Sequence, residues 1–428
     1  MLVIHKKQII IILILFISFF SCKKENDTIP NILISKPLSN QSFQIPTSIN
    51  VIGSTWDDNL ITRIEIDIIS ENSASIIQKK EINVDSNYFD FNISLFLTDR
   101  LISTDNYFIN VKSFDENNNY NSEYIPININ EVPKTLQATY YITSLNNITY
   151  LYENDSLNNL HLKYQISGNY TVSLGNSRHQ YLFFGTDQLA ECIEPIYYND
   201  IWDLTSSNPF INSHTGVYKT DNGNQLHLGY EDGRIFTFNK EGNTINTIYS
   251  NNQDLFGEFF VDEDIVLVEN KTSSLDKKLI VFFKQSGIEK QRIITTGTIE
   301  KILPLGSHQY FIISNFLGVS KLSIYYENTN IISTELEIPN CNIYDAVILN
   351  NNILIASSNG FYSFNLTNNS LNTVSTSHLC DKIVLDELNK NVYLICGKQL
   401  WSYNNFSSLN LLNTLQDSIK DFVPFYNK

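Results

Sequence analysis

Short apolar phrases separated by polar turns run along almost the whole chain. In Asn352–Val374, NILIASSNGFYSFNLTNNSLNTV, an apolar strand turns at Ser358-Asn359-Gly360 into a second strand, and a polar turn leads on to a third. Nearly the same phrase stands at Gln225–Ile248, QLHLGYEDGRIFTFNKEGNTINTI. Short runs rich in Ile, Val, Phe and Tyr, bounded by Asn, Asp and Gly, predict strands. Aligned on its second strand, the phrase recurs from Tyr140, His179, Gln225, Asp264, His308, Asn352 and Asn391, at spacings of 39 to 46 residues. Repeats of that length holding four short strands predict propeller blades. An upstream strand precedes each later phrase: NYTVSL, TGVYKTD, LFGEFFVD, IEKILPLG, IYDAVILN and CDKIVLDEL. The first phrase has none, and the chain ends on an unused strand, SIKDFVPFYNK. Closure of the ring by that segment completes seven blades.

Residues 30–132 carry a different rhythm, strict alternation without a long repeat. Ile64, Ile66 and Ile68 share one face and leave Glu65 and Asp67 on the other. About seven strands are expected here, in an antiparallel sandwich. The stretch YFINVKSFDENNNYNSEYIPININ resembles the last hairpin of bacterial immunoglobulin-like domains, with Tyr107 near the start of the penultimate strand. Trp56 reads as a core residue. Asp57, Asp58, Asp115 and Glu116 fall in expected loops; they are oxygen donors of the kind Ca²⁺ takes, against the default of solvated carboxylates. Pro133, in EVPKT, cannot donate to a strand ladder and marks the linker.

The chain begins with Lys6 and Lys7 and an apolar run from Ile9 to Phe20 broken only by Ser18. Twelve helical residues span roughly 18 Å, short of a bilayer core of about 30 Å, so the run reads as a signal peptide, residues 1–21. FFSC then resembles a bacterial lipobox, which implies cleavage before Cys22, a diacylglycerol on its thiol and a lipidated tether over residues 22–29. CKKEND is similar to the export signals of surface lipoproteins of the Bacteroidota. The implied address is the outer membrane through a lipid anchor.

Formal net charge is −16. Nucleic acid is excluded as a partner on that balance, because phosphate binding needs clustered Lys and Arg. Cys192, Cys341, Cys380 and Cys396 match no metal spacing, and the seven histidines are scattered. Cys380 and Cys396 lie on consecutive strands around DELNKN, so they are expected to face each other as a disulfide or as two buried thiols. Asp27-Thr28-Ile29, Asp155-Ser156-Leu157 and Asp417-Ser418-Ile419 resemble O-glycosylation acceptors of Bacteroidota glycoproteins.

Over nearly its whole length the chain resembles Bacteroidota lipoproteins that join an immunoglobulin-like domain to a quinoprotein- or YVTN-like propeller. The implied fold class is all-β: a sandwich over 30–132 and a seven-bladed β-propeller over 133–428 closed by the C-terminal strand. The evenly placed tryptophans of quinoprotein dehydrogenases are missing, since only Trp202 and Trp401 fall in the repeats. No quinone or other cofactor is therefore expected. No Ser-His-Asp set, G-x-S-x-G or phosphate loop stands out. The expected work is binding or scaffolding of a protein or glycan partner. The alternative is a propeller hydrolase or lyase acting on extracellular glycan or peptide, with catalytic residues drawn from several blades. Two insertions, Pro195–Gly216 and Glu269–Lys278, are expected on one face. Tyr197, Tyr198, Trp202 and Phe210 of the first then form a candidate aromatic binding rim, or else fill the gap between two blades.

Overall fold

The computed structural model describes residues 28–155, 159–204, 214–250, 254–271, 276–404 and 408–428. Cys22 and Phe210 lie outside the described residues, as do Asp27 and the Ser156-Leu157 pair of the second acceptor. The chain is all-β and divides into two compact units between Pro133 and Lys134.

In the first unit the expected short strands fuse. Strand Thr47–Ile69 runs for 23 residues and strand Lys80–Leu97 for 18. Asp57-Asp58-Asn59 contains no glycine or proline to end the strand, and a register shift between Trp56 and Ile61 absorbs the irregularity. Where about seven strands were expected, six are linked into one hydrogen-bonded network through Thr47–Ile69, with a parallel pair, Gln41–Gln44 beside Tyr120–Asn130. Its core holds Ile49, Val51, Ile64, Ile66, Ile68, Leu95, Ile109 and Ile127, all fully buried.

Trp56 is not in that core. It is 39% exposed, because Thr55 and Asp57 take the inward face on either side of it. Asp57 is buried and accepts hydrogen bonds from Thr28 Oγ1 at 2.9 Å and the Asp58 amide at 2.6 Å. Asp115 caps its turn, accepting from the amides of Asn117 and Asn119 at 2.9 and 2.7 Å. Two of the four carboxylates weighed as Ca²⁺ ligands thus serve their own backbone. Tyr107 is buried and donates its hydroxyl to the Ser103 carbonyl at 3.1 Å.

The second unit is a β-propeller. Among the described residues it holds seven four-stranded antiparallel sheets. The first strands are Ile419–Tyr426, Tyr170–Asn176, His214–Thr220, Phe256–Val261, Thr298–Gly306, Ile343–Leu349 and Lys382–Asp386. Each neighbours the first strand of the next sheet, and the cycle closes because Ile419–Tyr426 neighbours both Lys382–Asp386 and Tyr170–Asn176. That C-terminal strand pairs with Leu136–Leu145, from Ile419 opposite Thr143 to Tyr426 opposite Leu136. Pro424 is tolerated in it because a first strand is the edge of its sheet.

Glycine is required in two turns of the repeated phrase. Gly233 and Gly360 take φ of 88° and 134°, and a Cβ there would lie 2.4 Å from the Asp254 carbonyl oxygen and 2.3 Å from that of Ser375. Cys380 and Cys396 are joined as a disulfide, while Cys192 and Cys341 are buried free thiols.

Candidate functional site

Of the described residues of the candidate rim, Tyr197, Tyr198 and Trp202 have different surroundings. Pro195–Tyr198 is a tight turn between Ala190–Glu194 and Asn199–Leu204, the third and fourth strands of one sheet. In an antiparallel sheet, turns between third and fourth strands emerge at the end opposite the connections between sheets. The described first part of the expected insertion is therefore a turn at that opposite end. Tyr197 is exposed. Tyr198 turns inward and donates to Glu153 Oε2 at 2.7 Å. Trp202 sits on the outer strand between Phe183 and Phe238, at ring separations of 5.6 and 5.7 Å, and its Nε1 donates to the Lys240 carbonyl. It fills the gap between two sheets, as a large flat ring does where packing must be continuous. The histidines behave similarly. His227, between Thr220 Oγ1 and Thr237 Oγ1, is lowered to about 3 by burial and by nearby Lys284; His214 is lowered to about 4 by burial.

The polar chemistry lies instead around the axis. Every first strand contributes to one chain of contacts. Tyr170 Oη and Lys382 Nζ each lie 2.9 Å from Asp421 Oδ2, and Ser173 Oγ donates to the same oxygen. Asp345 Oδ2 accepts from the Ile383 amide at 2.9 Å, and its Oδ1 lies 3.0 Å from Lys301 Nζ. Lys301 Nζ is also 3.9 Å from Glu258 Oε1, which accepts from Tyr218 Oη at 2.9 Å. Read around the ring, the charges alternate: Asp421, Lys382, Asp345, Lys301, Glu258.

Irregular register is what aims these side chains. Among the described residues, six of the seven first strands shift register at this level: between Ile419 and Asp421, Tyr170 and Val172, His214 and Gly216, Phe256 and Phe259, Ile299 and Lys301, and Ile343 and Asp345. A bulge adds one residue to one strand and redirects the side chains beyond it. At four of the six shifts the residue at or beside the bulge is a belt charge, Asp421, Glu258, Lys301 or Asp345, while Lys382 joins the belt from a strand without a shift.

Confinement sets the protonation balance. Burial works against the charge of Lys301, but Asp345 and Glu258 outweigh it and hold the ammonium well above the usual lysine range. The same contest, decided by Asp421, raises Lys382. Burial, then the adjacent carboxylates, raises Tyr170 and Tyr218. Burial pushes the Glu258 carboxyl up to about 7, with Lys301 and Tyr218 opposing it in part.

That shift predicts a pH dependence. An unfolded glutamate ionises near 4.5, so between roughly pH 4.5 and 7 the folded state binds more protons than the unfolded chain. Stability therefore falls as pH rises through this window and levels off above it. With the Glu258 side chain only 16% exposed, the change is about 3 kcal/mol. Glu258→Gln is expected to match the parent at pH 4 and exceed its urea midpoint at pH 8. Parallel profiles for the two proteins would show that another group carries the slope.

Two depressions open on the face that carries the first-to-second and third-to-fourth strand turns. One, of about 710 Å³, lies where Glu327 meets His308 Nδ1 at 2.7 Å and Lys290 Nζ, beside a Tyr310 hydroxyl that donates to Asp262 at 2.6 Å. The other, of about 660 Å³, is floored by Lys382 and Asp421 and continues the axial belt. Among the described residues, no group of three or more His, Cys, Asp or Glu is placed to hold a metal ion.

The belt escaped the sequence reading, although a signal was there. Glu258-Phe259-Phe260, Lys301-Ile302-Leu303, Asp345-Ala346-Val347, Lys382-Ile383-Val384 and Asp421-Phe422-Val423 each place one charge before apolar residues in the upstream phrase.

No protein-family profile matches the chain, and no curated protein matches it. Solved structures do. The crystal structure of BamB from Moraxella catarrhalis is 12% identical, with a TM-score of 0.42 over 67% of this chain and 92% of that one. The WD40 β-propeller domain of Doa1 is 14% identical, with a TM-score of 0.47 over 61% and 93%. A chain of the mitotic checkpoint complex is 11% identical, with a TM-score of 0.45 over 56% and 76%.

Proposed function

We propose that this chain is a cell-envelope lipoprotein in which an immunoglobulin-like sandwich, residues 30–132, precedes a seven-bladed β-propeller, residues 133–428, that works as a binding or scaffold module. The closed cycle of seven first strands supports the blade count. The Tyr107 hydroxyl bonded to backbone four residues upstream supports the immunoglobulin-like reading, where such a tyrosine corner recurs. The apolar run ending at Cys22, with the polar tether over 22–29, supports signal-peptide removal after residue 21, lipidation and outer-membrane residence. The observation that carries the binding role is the axial belt. Its three carboxylates are each engaged by a lysine, a tyrosine or both, so the belt's polar groups are spent on one another and the faces are left to meet a partner. A protein or glycan partner suits those turn-bearing faces.

One observation favours the second reading, a hydrolase or lyase acting on extracellular glycan or peptide. Glu258 is held near neutrality beside Tyr218 and Lys301, the balance an acid–base catalyst uses.

The test uses the full-length protein. Cells are labelled with a palmitate analogue and fractionated, and the purified protein is incubated with panels of extracellular glycans and peptides. The binding reading expects label and outer-membrane residence that Cys22→Ala abolishes, and saturable binding without new reducing ends or amino termini. A Cys22→Ala protein that stays labelled and membrane-bound removes the anchor. Cleavage that disappears in Glu258→Gln replaces the binding role with catalysis.

A further inference from the structure

We propose that the depression above Lys382 is a binding site for a small polyanion bearing carboxylate or phosphate groups. The inference rests on the reading of the propeller as a binding module and names the ligand class of one of its sites.

The charge distribution is the first observation. The chain is acidic overall, with 45 acids against 29 Lys and Arg. Yet five lysines line this one depression: Lys134, Lys219, Lys382, Lys390 and Lys428. They come from separate segments. Lys219 is next to last in one first strand, Lys382 begins another, Lys390 closes the turn that follows Lys382–Asp386, and Lys134 and Lys428 lie beyond the paired strands Leu136–Leu145 and Ile419–Tyr426. Only the closed ring brings them together.

The acids of the same lining are largely committed. Asp421 accepts from Lys382, Tyr170 and Ser173. Asp386 accepts from the Tyr426 hydroxyl at 2.5 Å, from Asn389 Nδ2 at 3.1 Å and from the amides of Leu388 and Asn389. These contacts satisfy both carboxylates from within the protein and commit the Lys382 ammonium to Asp421, so the ligand's charge is met chiefly by Lys134, Lys219 and Lys390. Glu387 remains as the exposed acid among the lysines.

The lysines are differently placed. Lys219 Nζ has one described hydrogen bond, to the Gly175 carbonyl at 2.9 Å, which leaves two of its three protons for a ligand. Its side chain is exposed, so the ammonium is open to a ligand; crowding by nearby atoms lowers it below the usual lysine range, with Glu387 opposing the effect. Lys134 and Lys390 are exposed at the rim.

Size and electrostatics define the ligand. A volume of about 660 Å³ fits a small organic molecule, within the usual range of roughly 300–1,000 Å³ for ligand pockets. Ammonium groups act as point charges without a fixed fork, so they accept carboxylate and phosphate alike. A nucleic acid has to approach across an acidic surface, which repels a long polyanion more than a small one.

The test is titration calorimetry on the full mature protein at low and moderate salt. The probes are citrate for the carboxylate source, inorganic pyrophosphate for the phosphate source, and glucose as a neutral control. The proposal expects saturable binding of citrate, pyrophosphate or both, weakened by salt, with glucose silent; the stronger of the two identifies the source. Lys219→Glu and Lys390→Glu should each weaken binding about tenfold, whereas Lys321→Glu, in a sheet that contributes nothing to the depression's lining, leaves it unchanged. Thermal melts identify any variant that fails to fold, and Lys390, exposed in a turn, keeps the test independent of Lys219. Failure of both anions to bind, or binding indifferent to Lys219→Glu and Lys390→Glu, overturns the site. Binding accompanied by phosphate release from pyrophosphate keeps the site and overturns the non-catalytic role instead.

Discussion

A chain truncated after Asp417 is expected to lose the propeller while the first unit still folds. The removed strand, Ile419–Tyr426, is joined to three sheets at once. It pairs along its length with Leu136–Leu145. Phe422 packs against Tyr141 and Tyr393 at 5.0 and 4.7 Å, and Phe425 against Tyr140 at 6.0 Å. The Tyr426 hydroxyl donates to Asp386 in the last sheet, and its carbonyl accepts from Gln180 Nε2 in the next sheet at 2.8 Å. Ile419, Phe422, Val423, Phe425 and Tyr426 are all buried. Burial of large apolar side chains contributes roughly 1.5–3 kcal/mol each, so their combined loss rivals the net stability of about 5–15 kcal/mol of a whole domain. Truncation also leaves Leu136–Leu145 as a bare sheet edge, which invites association between chains. Calorimetry should show one remaining transition, from the first unit, and light scattering should show aggregation. If the truncated chain keeps a propeller transition at the full-length temperature, the ring is closed by something else.

The second large effect is expected at Lys301. Lys301→Met removes the cation that, among the described residues, lies between Glu258 and Asp345, whose side chains are 16% and 8% exposed. Breaking a buried ion pair by deleting one partner typically costs about 3–5 kcal/mol, because the remaining charge stays desolvated. Asp345 keeps its bonds from the amides of Ala346 and Ile383, so most of the strain falls on Glu258, which is expected to stay protonated to higher pH. The variant should therefore lose several kcal/mol in urea at pH 8 and much less at pH 5. Adding Glu258→Gln should recover a large part of the loss at pH 8, and a double-mutant cycle reads the coupling directly. Additive effects of the two substitutions would show that Lys301 and Glu258 do not sense each other.

The local pattern along the chain decided where the strands of the repeats lie. Apolar alternation with Gly, Asn and Asp at the turns is a short-range property, so each second strand and each upstream strand stood where its phrase placed it. The orphan strand at the end pointed to ring closure because a count of strands needs no three-dimensional information. Local pattern misled where the outcome depends on neighbours. Asp57-Asp58-Asn59 reads as a turn, yet pairing to Lys80–Leu97 and Asp105–Asp115 keeps Thr47–Ile69 extended through it. The tryptophan and tyrosines of Asn199–Leu204 and its preceding turn read either as a rim or as a plug between blades, a choice local pattern does not make; Trp202 lies between Phe183 and Phe238 from two sheets.

The belt shows the division most clearly. Glu258, Lys301, Asp345, Lys382 and Asp421 succeed one another at 37 to 44 residues, one per repeat, so their periodicity is written in the chain. Their alternation of sign around an axis is not. That required the ring to close, bringing a residue from the last strand beside Tyr170 and Ser173 across some 250 positions of sequence. It also required bulges, which arise from sheet twist and inter-sheet packing and leave no residue signature of their own. The same closure gathers five lysines from distant segments into one depression of an acidic protein. Sequence determined which residues form strands and how many repeats they build; tertiary structure alone decided which charges meet, because Coulomb interaction and desolvation depend on distance in space and not on position along the chain.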